Sequence, residues 1–403
     1  MGIDLPLIWA VIIAFGVMMY VVMDGFDLGI GILFPFVRDD GERDVMMNTV
    51  APVWDGNETW LVLGGAGLFG AFPLAYAVVL DALYLPLILM LLGLIFRGVA
   101  FEFRFKAKAA KRHLWDKAFI GGSLTATFFQ GVALGAYIDG FEVVNRSFAG
   151  GAFDWLTPFS VFCGLALIAA YALLGCTWLI MKTEGRLQQQ MHDLGRPLVF
   201  VVLAVTGIVS LWTPFEHPAI AERWFSLPNL FWFMPVPVLV LLCTWALLRA
   251  VASNANYSPF LLTLALIFVV LAVTGIVSLW TPLAHPDIAE RWFSLPNLFW
   301  FMPVPVLVLL CTWALLRAVA NNANYSPFLL TLALIFLGYS GMGISLWPNV
   351  IPPSISIWEA SAPPQSQGFM LVGALFIIPF ILMYTAWSYY VFRGKVTVDD
   401  GYH

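Results

Sequence analysis

About eleven stretches of some 20 mostly apolar residues follow one another along this 403-residue chain, more than any soluble core can bury. They fall near 6–34, 54–71, 74–101, 118–140, 157–181, 195–213, 229–248, 258–280, 297–316, 326–347 and 368–392. A helix rising about 1.5 Å per residue needs roughly this length to cross a hydrocarbon layer of about 30 Å. With 61% hydrophobic and 11% charged residues, the expected fold is all-α, one polytopic transmembrane helical bundle over residues 1–403. Cys163, Cys176, Cys243 and Cys311 lie inside apolar runs, where they read as small hydrophobes and not as a disulfide or zinc framework. The opening Met-Gly-Ile-Asp-Leu-Pro lacks a basic region and the first run has no small-residue cleavage site, so it reads as a retained span.

Positive charge is unevenly spread between the runs. Arg104, Lys106, Lys108, Lys111 and Arg112 share one connection, Lys182 and Arg186 a second, and Arg393 and Lys395 follow the last span. Placing these in the cytoplasm leaves only Arg146, Arg223 and Arg291 outside, 3 of 19 Lys and Arg residues. The N-terminus is then periplasmic and the C-terminus cytoplasmic. Trp212, Trp224 and Trp232 fall on the outer side, as an interfacial belt would.

Residues 201–268 and 269–336 are near copies, differing only at Phe215/Leu283, Glu216/Ala284, Ala219/Asp287 and Ser253/Asn321. The boundaries cut through spans, so 258–280 is a hybrid whose two halves match 326–336 and 201–212. Each copy adds two crossings, which leaves everything downstream in its original orientation. A late tandem duplication and an error of sequence assembly both produce this pattern, and the intact mass of the subunit separates them. Without one copy the chain has 403 − 68 = 335 residues and nine spans.

Two acidic motifs interrupt the apolar pattern: Met23-Asp24-Gly25-Phe26-Asp27, and Trp54-Asp55-Gly56-Asn57-Glu58-Thr59-Trp60. A carboxyl near the bilayer centre costs roughly 2.5–3.5 kcal/mol on insertion scales, so it usually has a task or a partner. Spacings of three and four place Asp24 with Asp27, and Asp55 with Glu58 and Thr59, on common helix faces. The functional reading is a proton path or a polar subunit interface, weighted towards Asp27 and Asp55. The structural reading puts Asp24 and Asp27 at the headgroups, with Asp55 as a helix N-cap and Glu58 completing a capping box. Arg97, near the end of its span, either snorkels or pairs with one of these acids. Trp60 is a belt residue or a channel lining, with the belt favoured. The segment around Trp347-Pro348 and Ile357-Trp358-Glu359 reads as a structured outer loop.

Of the five histidines, His113 and His192 are expected in cytoplasmic loops, His217 and His285 in outer loops, and His403 is terminal. A buried redox centre would thus have to use Met or Cys of this chain or belong to another subunit. There is no phosphate-cradling glycine loop, zinc spacing or Ser-His-Asp set, and nothing points to nucleic acid.

The segments Asp24-Gly25-Phe26-Asp27-Leu28-Gly29, Ala51-Pro52-Val53-Trp54-Asp55-Gly56-Asn57 with Trp60-Leu61, Phe96-Arg97 and Tyr384-Thr385-Ala386-Trp387 together resemble subunit II of the cytochrome bd-type quinol oxidases, nearest the cyanide-insensitive branch. The resemblance implies a bacterial inner-membrane complex in which subunit I carries the haems (b and d, or b only) and the quinol site, with oxidation of quinol coupled to reduction of dioxygen to water. It further implies a small accessory subunit, lipid contact and a structural quinone in this chain. By resemblance, Asp55, Asp24 and Asp27 line a proton-conducting or subunit-facing track, Trp60 borders oxygen access, and Arg97 is a charge partner near the interface. The family pattern has nine spans. A proton-coupled transporter is the alternative that the paired acids alone would allow.

Overall fold

The computed structural model describes residues 4–216, 245–246, 248–249, 349–351 and 354–397. The chain divides into two compact units, Met1–Leu198 with Asn349–His403, and Val199–Pro348. The candidate site described below lies in the first. The expected spans 258–280, 297–316 and 326–347, nearly all of 229–248 and most of both repeats lie outside the described residues.

Helix α1 (Leu5–Leu33) opens where Asp4 accepts a hydrogen bond from the Leu7 amide with Pro6 in its first turn, and it tightens into a 3₁₀ turn at Phe34–Phe36. A short amphipathic helix, α2 (Asp40–Asn48), is capped by Asp39. Then come α3 (Trp54–Ala71), α4 (Pro73–Lys106) and α5 (Ala109–Asp139). A small hairpin, β1 (Val143–Val144) and β2 (Ser147–Phe148), turns through Asn145 and Arg146 at positive φ and leads to α6 (Pro158–Lys182), which starts in a Thr157/Ser160 capping box. Helix α7 (Gly185–Glu216) follows. The chain returns as β3 (Asn349–Ile351) paired with β4 (Ile355–Ser356), a one-turn α8 (Ile357–Ala360) and a long α9 (Pro364–Val391). Five of these helices, α1, α4, α5, α6 and α9, are long and apolar enough to cross a membrane.

The expected spans sit inside longer helices. Helix α4 runs on to Lys106, α5 begins at Ala109 instead of 118, and α7 begins at Gly185 instead of 195. Hydropathy detects only the lipid-matched part of a helix, whereas Ala-, Lys- and Gln-rich turns extend it beyond the apolar layer. His113 and His192 are therefore on helices, not in loops, and His192 is buried.

Small residues set the helix crossings. A Cβ added to Gly29 of α1 would lie 1.9 Å from the Tyr171 carbonyl of α6, and one on Gly175 would lie 2.5 Å from the backbone of Gly29. Gly93 and Gly122 join α4 to α5 in the same way, and Gly131 meets Gly164 between α5 and α6. Between membrane helices, where apolar side chains gain nothing over lipid, such backbone approach supplies the packing.

Helix α9 is held chiefly at its ends. At one, Trp9 Nε1 donates to the Gln367 carbonyl (3.1 Å), and Ala362 N and Gln367 Nε2 donate to the Ala71 carbonyl (2.9 and 3.0 Å). At the other, Lys182 of α6 donates to the carbonyls of Phe392 and Gly394. The 349–361 segment is the structured loop anticipated: Tyr137 donates to Val350 O (2.7 Å) and Arg146 to Glu359 O (3.1 Å). Ser356 caps α8, and its amide and hydroxyl bonds to the Glu359 carboxylate hold that group's pKa below the ordinary glutamate value. Because the folded pKa is depressed, this cap contributes stability above the unfolded value of about 4.3 and loses it as pH falls through the folded value. The fluorescence of Trp358, taken as the difference from Trp358→Phe, should stay constant between pH 7 and 5 and change below about pH 4. Ser356→Ala should remove that transition.

Candidate functional site

The described residues form one deeply buried polar node, to which four helices contribute. Asp24 and Asp27, one turn apart on α1, are fully buried. Arg97 of α4 donates through Nη1 to Asp24 Oδ1 at 2.7 Å and through Nη2 to Glu58 Oε1 of α3 at 2.9 Å. Its side chain is 0% exposed, against 25% for that of Glu58, so Glu58 is the open edge of the node. Asn57, beside Glu58, donates to Asp27 Oδ2 (2.7 Å) and Met23 O (3.3 Å), and accepts from the Tyr389 hydroxyl of α9 (3.0 Å). Phe26, between the two aspartates, stacks on Trp178 of α6 with ring centroids 4.2 Å apart, and Tyr389 meets its edge. The node thus ties α9 to the core near its C-terminal clamp.

Several sequence expectations change here. Arg97 lies nine residues before the end of α4 and does not snorkel; it pairs with acids from two other helices. Asp24 and Asp27 are buried within the bundle, Asp24 paired with Arg97 and Asp27 bonded by Asn57. Asp55 is not an N-cap: α3 starts at Trp54 after Val53, which makes no side-chain cap, so Asp55 and Glu58 form no capping box. The weighting of the acids also shifts. Asp24, Asp27 and Glu58 belong to the node, whereas Asp55 points outward from α3. Trp60 is not in a belt: it is fully buried, with Phe15 edge-on at 5.5 Å.

The sequence does not mark Asn57 and Tyr389 as members of the node. Neutral side chains raise no insertion alarm, although Asn57 stands within a quoted motif and Tyr389 two residues after another. Asp81 is also unmarked. It faces outward two turns into α4, on a face continued by Tyr84 and Ile88. A second ionic cluster joins α2 to the α4–α5 corner. Arg104, buried, bonds Asp116 (2.5 Å) and Asp44, Arg43 bonds Asp116 (2.8 Å), and both guanidiniums lie over Phe34. In the sequence Arg104 reads only as one positive charge of a basic cytoplasmic connection. Among the described residues no group of three His, Cys, Asp or Glu is gathered to hold a metal, and Cys163 and Cys176 are free thiols.

The family model for cytochrome bd terminal oxidase subunit II matches residues 5–280 and again 262–392. The cytochrome bd-I ubiquinol oxidase subunit 2 of Escherichia coli K12 is 28% identical over 98% of this chain and 96% of its own length. The cytochrome bd ubiquinol oxidase subunit 2 of Bacillus subtilis 168 is 25% identical over 97% and 96%. In fold, the chain is similar to the bd oxidase of Geobacillus thermodenitrificans, with a TM-score of 0.61 at 14% identity, covering 95% of this chain and 98% of that one. The chain belongs to the cytochrome bd terminal oxidase subunit II family.

Proposed function

We propose that this chain is subunit II of a bd-type quinol oxidase, the subunit that supports a haem-bearing subunit I in the bacterial inner membrane while the complex oxidises quinol and reduces dioxygen to water. The observation that carries the reading is the buried node itself, built from the same motif residues on which the family resemblance rests. A proton-coupled transporter would need the acids alone, and the family membership disfavours it. Any haem, b and d or b only, is placed in subunit I. A structural quinone in this chain and a small accessory subunit remain part of the proposal by resemblance.

The roles assigned to the node follow from its chemistry. Two carboxyls share one guanidinium and a third, that of Asp27, is held beside them by Asn57, an excess of acid that suits a path on which protons are taken up and handed on. Asp24 Oδ2, Asp27 Oδ1, Arg97 Nε and the hydroxyls of Tyr20 and Tyr171 are buried without a hydrogen-bond partner among the described residues. Internal water commonly serves such groups, and it would extend the path. Glu58 is its open edge, and Asp55 its outward-facing approach. Trp60, buried beside α1, is the oxygen-access residue by resemblance.

Subunit I is placed against α9 and the adjoining face of α3. Phe369, Phe376, Phe380 and Trp387 of α9 are 83%, 69%, 67% and 67% exposed, and Tyr384 packs over Gly56 next to Asp55. An outward carboxyl within an apolar face calls for a donor on whatever covers it, which applies equally to Asp81.

The orientation is N-terminus periplasmic and C-terminus cytoplasmic. The starts of α1 and α9 meet at one end of the bundle, and the ends of α6 and α9 meet at the other. An odd number of spans, eleven with both copies of the repeat or nine with one, is compatible with this orientation. The overlap of the two family-model matches at 262–280, inside the hybrid span, supports the tandem arrangement of 201–268 and 269–336 within the one membrane domain.

The test is turnover of the purified complex. Glu58→Gln should lower quinol oxidase turnover roughly tenfold or more at unchanged haem content, the scale of a lost proton-transfer group. Asp55→Asn should lower it less. Unchanged turnover in both variants would leave these acids a structural role only.

A further inference from the structure

A groove of about 420 Å³ lies between the exit of α1 and the first turns of α7, lined by Phe36, Arg38, Arg186, Gln189, Gln190 and Asp193. Both walls change from apolar to charged at this level. Phe36, 55% exposed, ends the apolar run of α1 two residues before exposed Arg38, and Asp193 precedes the apolar run of α7 that begins at Leu198. In a membrane chain such a transition marks the headgroup layer.

The charges in the groove are underused. Arg38 makes no ion pair among the described residues, and Arg186, with its side chain 81% exposed, has only Glu42 at 3.8 Å. Gln190 Nε2 donates to Phe36 O at 2.7 Å, which fixes one wall against the other. Asp193, across the groove, meets only the Gln189 amide among the described residues, at the limiting distance of 3.5 Å.

We infer that this groove binds one phospholipid with an ammonium-bearing phosphodiester headgroup, of the phosphatidylethanolamine class. The guanidiniums of Arg38 and Arg186 receive the phosphodiester oxygens, in the fork geometry that favours arginine for phosphate. The Asp193 carboxylate receives the ammonium, and an acyl chain leaves along the Phe36 ring. The carboxylate distinguishes this headgroup from a purely anionic one, and the apolar wall distinguishes a lipid from a soluble phosphate. Basic pockets between membrane helices on the cytoplasmic side are general lipid-headgroup sites.

Native mass spectrometry of the purified oxidase complex, delipidated and then supplied with phosphatidylethanolamine, phosphatidylglycerol or inorganic phosphate, tests this. Wild type should retain one phosphatidylethanolamine under activation that strips the others. Arg38→Ala should lower that occupancy roughly tenfold, the loss expected when one charge-assisted hydrogen bond disappears. Asp193→Asn should erase the preference over phosphatidylglycerol without abolishing retention. Equal retention in wild type and Arg38→Ala, no preference between the two lipids in wild type, or displacement of the lipid by inorganic phosphate would each overturn the inference. Haem content serves as the folding control.

Discussion

Arg97→Met is expected to destabilise the subunit by about 3–5 kcal/mol, the cost of breaking a buried ion pair from one side. Little haem-bearing complex should then be recovered from membranes. The arginine is 0% exposed and serves Asp24 and Glu58 together, so its loss leaves the buried Asp24 carboxylate without its counter-charge. The compensating variant Arg97→Met with Asp24→Asn and Glu58→Gln removes the stranded charges and should recover much of the yield, because a neutral replacement of a whole buried network is often close to neutral in stability. Its quinol oxidase turnover should stay low. Normal yield for Arg97→Met alone would show that the node is not what holds α1, α3 and α4 together.

The second large effect is expected at Gly29. Its missing side chain lets α1 touch α6 backbone to backbone, and an alanine methyl would sit 1.9 Å from the Tyr171 carbonyl. Backbone atoms of two packed helices cannot swing aside as a side chain does, so the helices must separate and the stacking of Phe26 on Trp178 must shift with them. Overpacking of a tight contact costs typically about 1–3 kcal/mol, and this site belongs at the upper end or above. Thermal unfolding of the Gly29→Ala complex in detergent should begin well below wild type. Gly65, where an added Cβ meets nothing within 4 Å, supplies the control, and Gly65→Ala should leave the transition unmoved.

Much of the helical frame can be read directly from the residues. The boundaries of α1, α3 and α6 are legible because each joins an apolar run to a local signal: Asp4 with Pro6, the Phe72-Pro73 turn, and the Thr157-Pro158 cap. The early start of α5 was not, because Ala109 to Lys117 has helix-forming but polar residues, and a hydropathy reading stops where polarity begins. The site was legible in part. The membrane cost of charge singled out Asp24, Asp27, Glu58 and Arg97, and a pair between Arg97 and an acid was among the readings. The ranking within the set was not legible. Spacing places Asp55 and Glu58 near one face of α3, but three residues rotate the helix by about 300°, and the remaining offset of about 60° leaves Asp55 exposed while Glu58 reaches Arg97. Asn57 and Tyr389 reach each other from positions 332 residues apart, a contact that local pattern cannot announce.

The account rests on this chain serving a partner's haem, and purification of the chain from its native membrane tests that most directly. The predicted result is recovery in one-to-one ratio with a haem-bearing subunit, with oxygen consumption that starts on addition of quinol and is absent when the partner is deleted. A chain that is stable alone, never associates with haem and carries a solute with protons across vesicles would contradict it.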